Sequence, residues 1–169
     1  MYQIVFDADG LIKVHKGGFL GEVAAEYICL LPDEVFREAI VAARQTHTEA
    51  AEALEALIQT GKLLRRPPAR SAQAERILTM FQALGTGERG ALRLFLKEKA
   101  DFIVTDDRAF LNVLVRNRTP FLTPAELLVR LRRAGRLSRE DAESSAERLR
   151  PYIRREVYQD LVQRLEDIL

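Results

Sequence analysis

The chain has 169 residues, 47% of them hydrophobic and 30% charged, and a formal net charge of +1. That length suits one α/β domain with its own core, and that composition excludes a disordered chain. The small net charge excludes binding nucleic acid through a uniformly basic surface, so phosphate must be met by local basic patches or by a metal ion bridging carboxylates to phosphate.

A single cysteine, Cys29, excludes an intramolecular disulfide. It lies in an apolar run, reads as core, and suits a reducing, cytoplasmic compartment. No basic start leads into a long apolar segment, and no stretch approaches the roughly 18 apolar residues of a membrane span. Neither a signal peptide nor a membrane is therefore expected.

Tyr2 to Phe6 is a short β-favouring run that ends at Asp7, and it reads as a buried first strand. Lys13, Lys16 and Gly17-Gly18 then read as a mobile basic turn carrying His15. Gly18 to Tyr27 has helical spacing, and Ile28 to Leu31 is a second apolar strand closed by Pro32. Pro32-Asp33-Glu34 opens a helix that runs on through Val35, Phe36, Ala39 and Ile40, with its acids at the positive end of the dipole.

Thr46 to Gln59, which includes His47, predicts a helix stopped by Gly61. Lys62 to Arg66 predicts a third strand broken by Pro67-Pro68, and Ser71 to Leu84 an amphipathic helix. Gly85-Thr86-Gly87-Glu88 is a tight turn opening a helix to Lys99. Asp101 to Thr105 is the next strand, Arg108 to Arg116 a helix, and Thr119 to Leu122 a last strand. Thr123-Pro124-Ala125-Glu126 has the form of a capped helix start. Ser138-Arg139-Glu140-Asp141 is similar, and opens a final helix running to the C-terminus.

Alternating strands and helices predict an α/β fold with a central, mostly parallel sheet flanked by helices. Residues 1–122 form the expected core, and residues 123–169 a helical C-terminal extension of the same domain.

In an open parallel sheet, ligands bind beyond the carboxyl ends of the strands. Asp7-Ala8-Asp9 follows the first strand, and Asp106-Asp107 the fourth. Glu38 lies on the helix after the second strand, and Glu88 starts the helix before the fourth. Each has an ordinary reading as a turn, a cap or a solvated side chain, and one of Asp106 and Asp107 is expected to cap the next helix. Carboxylates held together repel one another and need a compensating cation. Their hard oxygens favour Mg²⁺ or Mn²⁺, which can activate water and polarise phosphate.

The order of these acids resembles the PIN-domain family. VFDADGLI matches the family's opening, with Asp7 at its first acid, although Ala8 replaces the hydroxyl residue often found there. EVFREAI places Glu38 at the second acid. GTGERGAL places Glu88 at the third, introduced by the Gly-x-Gly-Glu turn of one subgroup. FIVTDDRAF supplies the Thr-x-Asp of the fourth, with Asp107 in place and Asp106 adjacent.

The resemblance implies a PIN-like fold and a metal-dependent endoribonuclease cutting RNA by metal-activated water. Asp7, Glu38, Glu88 and Asp107 would be catalytic, and those four with Asp106 would hold Mg²⁺ or Mn²⁺. It also implies a toxin-type protein with a small antitoxin partner, and a homodimer. FDADG resembles haloacid-dehalogenase-type phosphatases as well, with Asp7 as nucleophile and Asp9 as general acid. That family's Thr or Val after the second Asp is missing, because Leu11 stands there. A third reading is a PIN-like binding module whose acids are unused.

Overall fold

The computed structural model describes residues 1–46 and 48–168. The expectation for His47 falls outside them. Five short strands form one parallel sheet: β1 (Gln3–Phe6), β2 (Ile28–Pro32), β3 (Leu63–Arg66), β4 (Phe102–Val104) and β5 (Phe121–Leu122). Their order is β3-β2-β1-β4-β5. Successive side chains of a strand point to opposite faces. Ile4, Phe6, Cys29, Leu31 and Val104 therefore enter one core, while Val5, Leu30 and Ile103 enter the other. Burial on both faces is why these strands read as unbroken apolar runs rather than alternating ones.

The first core is covered by α1 (Ala8–Lys16), α2 (Leu20–Glu26), α3 (Asp33–Thr46) and α4 (Thr48–Gln59). The C-terminal helices α8 (Pro124–Arg133), α9 (Arg139–Leu149) and α10 (Arg155–Glu166) bury side chains in the same core. The second core lies under α5 (Ala72–Met80), α6 (Thr86–Glu98) and α7 (Arg108–Arg116). Leu127, Leu128, Val129 and Leu131 of α8 are fully buried. Each such side chain contributes about 2 kcal/mol of apolar burial.

Two segments differ from the sequence expectation. The expected basic turn at residues 13–18 is the second half of α1, where Leu11 and Val14 bury one face. Lys13 and His15 are thus helical, and the chain turns at Gly17 and Gly18, the latter at φ +77. The expected single C-terminal helix is broken: α9 ends at Leu149, a 3-10 turn spans Arg150–Tyr152, and α10 follows. Pro151 lacks the N–H that a continuous helix would need.

Candidate active site

The sheet order reverses between β1 and β4. After β1 the chain builds outward through β2 and β3, then crosses to β4 on the other side. Such a switch point leaves a crevice at the carboxyl ends of the two diverging strands. Asp7 ends β1, and Asp106-Asp107 ends β4, so both acidic turns open into that crevice.

Asp7 is 1% exposed. It caps α1, with the Gly10 N–H donating to its Oδ1 at 2.7 Å. The Thr105 hydroxyl donates to its other oxygen, Oδ2. Burial pushes the Asp7 carboxyl up to about 8, despite these two hydrogen bonds, and the charges of Asp9 and Glu88 push the same way.

The second acidic turn carries two acids with different partners. Asp107 caps α7, its Oδ1 accepting from the Phe110 N–H at 2.8 Å. Its own N–H donates to the Thr105 hydroxyl oxygen at 3.1 Å. Thr105 therefore links the two turns: it accepts from Asp107 and donates to Asp7. Asp106 points instead to Lys13, whose Nζ donates to its Oδ2 at 2.8 Å. The same Nζ lies 3.0 Å from Asp9 Oδ2. Burial disfavours the Lys13 charge, but its contacts with Asp106 and Asp9 outweigh this, and its pKa is raised.

Glu38 and Glu88 approach from α3 and α6. Partial burial, then the charge of Glu88, raises the Glu38 carboxyl. The sequence makes room for it with glycine: a Cβ at Gly87 would collide with the Glu38 carboxylate oxygen. One turn further on, a Cβ at Gly90 would meet the Glu34 carboxyl at 3.0 Å. Gly87 and Gly90 of GTGERG thus let α6 lie close against Glu38 and Glu34 of α3.

The charge of Glu88 acts on both Asp7 and Glu38 and raises each. Among the described residues, no three acids are drawn together as a closed set of metal ligands.

Sequence reasoning missed Thr105 and Lys13. Thr105 stood inside the Thr-x-Asp motif, where its hydroxyl was a signal that went unused. Lys13 lies one helical turn after Asp9, a spacing that signals an ion pair only once a helix is recognised there. Cys29 is buried, and burial pushes its thiol up to about 12, as suits a core residue rather than a nucleophile. Arg65 of β3 is held by Asp33 and stacks 3.8 Å from the Phe36 ring centroid.

The sheet order and the two acidic turns at its switch point define an open parallel α/β domain. A family model described as a PIN domain matches residues 3–167, and the chain belongs to the PIN-domain family. PIN domains are generally nucleases. A comparison with curated proteins finds no match. The family match assigns the FDADG opening to the PIN pattern rather than to the phosphatases. Among the described residues, no helix is long and apolar enough to cross a membrane.

Proposed function

We propose that the chain is a metal-dependent endoribonuclease, with Asp7, Glu38, Glu88 and Asp107 as the acids that hold Mg²⁺ or Mn²⁺. Asp106 is tied to Lys13, so Asp107 takes the fourth place. The observation that carries this reading is Asp7: a fully buried carboxyl, raised to about 8, in the field of Asp9 and Glu88. Such a group costs stability as an anion unless a cation neutralises it.

The donor set fits a hard divalent ion. Every candidate ligand is a carboxylate oxygen, and Gly87 leaves bare the space that the Glu38 carboxylate occupies. When bound, the ion would supply a polarised phosphate and an activated water. The chain's own part is positional. Gly10 and Thr105 fix both oxygens of Asp7. The same threonine hydroxyl accepts from the backbone of Asp107 and so sets one acidic turn against the other.

RNA as substrate, a small antitoxin as partner, a homodimer as assembly and a cytoplasmic location belong to the same proposal, and rest on the family pattern and the lone buried cysteine.

The test is cleavage of a labelled single-stranded RNA in Mn²⁺, Mg²⁺ or EDTA, by wild type and Asp7→Asn. Cutting in either metal, none in EDTA, and a loss of about a hundredfold or more in the variant are expected. Undiminished cutting by a folded Asp7→Asn would overturn the site. Cutting in EDTA would overturn the metal.

A further inference from the structure

The candidate site draws on Asp7, Asp9, Glu38, Glu88, Asp106 and Asp107, and among the described residues one cation forms an ion pair with any of them. That cation is Lys13. Its Nζ stands within 3.0 Å of Asp9 Oδ2 and Asp106 Oδ2, and its side chain is 16% exposed. Asp9 lies in the first turn of α1, which follows β1, and Asp106 in the turn after β4. The ammonium therefore bridges the two sides of the switch point beside Asp7 and Asp107. Arg108, next to the acid pair in sequence, is exposed, and no ion pair joins it to either acid among the described residues.

We infer that Lys13 occupies, as a covalently tethered cation, the place a second divalent ion would take, and so restricts the site to one metal ion. The inference rests on the metal reading above. Two carboxylates from different strand ends, each about 3 Å from a common point, make the oxygen environment of a hard cation. A lysine ammonium at that point supplies one positive charge and donates hydrogen bonds, but offers no open coordination position. Asp9 and Asp106 are thereby withdrawn from metal binding. Asp7, Glu38, Glu88 and Asp107 remain for a single ion. Among the described residues no ion pair or hydrogen bond joins Lys13 to these four, so it is a positioning residue that sets how many ions the site accepts.

Removing the ammonium should convert the pair into a second site. The variant Lys13→Met keeps the length and apolar stem of the side chain while deleting its charge. Mn²⁺ titration of the chelator-treated full chain, followed by calorimetry and by the paramagnetic resonance of free Mn²⁺, counts the ions directly.

Wild type is expected to bind one equivalent. Lys13→Met is expected to bind two, Lys13→Arg one, and the double variant Lys13→Met/Asp106→Asn one. Two equivalents on the wild type would overturn the inference without any variant, and so would one equivalent on a folded Lys13→Met, while the metal reading stood. No Mn²⁺ on any of these proteins would remove the metal reading and this inference with it.

Discussion

The turns after β1 and β4 are built alike and behave differently. In each, an aspartate after the strand caps the next helix through the N–H three residues on, Gly10 for Asp7 and Phe110 for Asp107. Asp7 is sealed, with its second oxygen held by Thr105, and its carboxyl is pushed up to about 8. Asp107 is half-buried, and among the described residues no hydrogen bond reaches its second oxygen. A capping motif fixes where a carboxylate sits, and at Asp7 the atoms packed over it raise its pKa. The two turns share the motif and differ in the cover.

The largest test of that difference is the pH dependence of stability in EDTA. Asp7 has a folded pKa near 8 against a model value of 3.8, so between these values the folded chain holds a proton that the unfolded chain has released. The resulting stabilisation is complete below about pH 4 and is lost as pH rises through 8. Its span is on the order of 5 kcal/mol. Urea denaturation from pH 5 to 9 should show wild type weakening steeply, while Asp7→Asn loses most of that slope. Equal slopes for wild type and Asp7→Asn would show that burial does not set the Asp7 charge.

A second test uses the residue that closes each cap. At Gly10 an added Cβ would strike the Val104 carbonyl oxygen, with the Val104 carbonyl carbon at 2.8 Å and Asp7 Oδ1 at 3.0 Å. Backbone cannot step aside as a side-chain tip can. At the equivalent place in the other turn, Phe110 is fully buried in the second core. Phe110→Ala should cost about 4 kcal/mol through the cavity it leaves. Gly10→Ala should cost about 2 kcal/mol through overpacking. Denaturation midpoints at fixed pH give both values. A neutral Gly10→Ala would mean that α1 can lift away from β4, and that the sealing of Asp7 is not enforced there.

Gly10 also shows where the sequence was misleading. A glycine after Asp-Ala-Asp, followed by Lys, His and a Gly-Gly pair, reads as a turn. The structure uses it as a close-approach position inside a helix. Leu11 and Val14, three apart and buried, were the signal for α1, but the segment is one short helix without a strong apolar repeat. The strands were legible because burial on both faces makes them continuous apolar runs. The order of Asp7, Glu38, Glu88 and Asp107 in the PIN pattern is what the proposed site rests on.

What no local pattern could give was pairing across the switch point. Lys13 with Asp106 spans 93 positions, and Thr105 with Asp7 spans 98. The break at Pro151 was readable from the proline alone, and the helical composition on both sides hid it.

The smallest expected effect belongs to Thr105, which joins the two turns and so couples what the other variants separate. Thr105→Val keeps the shape and loses both hydrogen bonds, leaving the Asp107 N–H and one Asp7 oxygen without that partner. The cost should be about 1–2 kcal/mol. Its pH dependence is the informative part. The Thr105 hydroxyl lowers the Asp7 pKa, so it favours the carboxylate over the acid. Removing it should raise that pKa further, and the loss of stability should be greater at pH 9, where Asp7 must ionise, than at pH 5, where it holds its proton. Thr105→Ser restores the hydroxyl and should restore the wild-type pH profile, even if the lost methyl lowers stability evenly. A penalty equal at both pH values, or a serine variant that behaves as valine does, would leave Thr105 as packing between the turns and return the whole Asp7 shift to burial and the neighbouring acids.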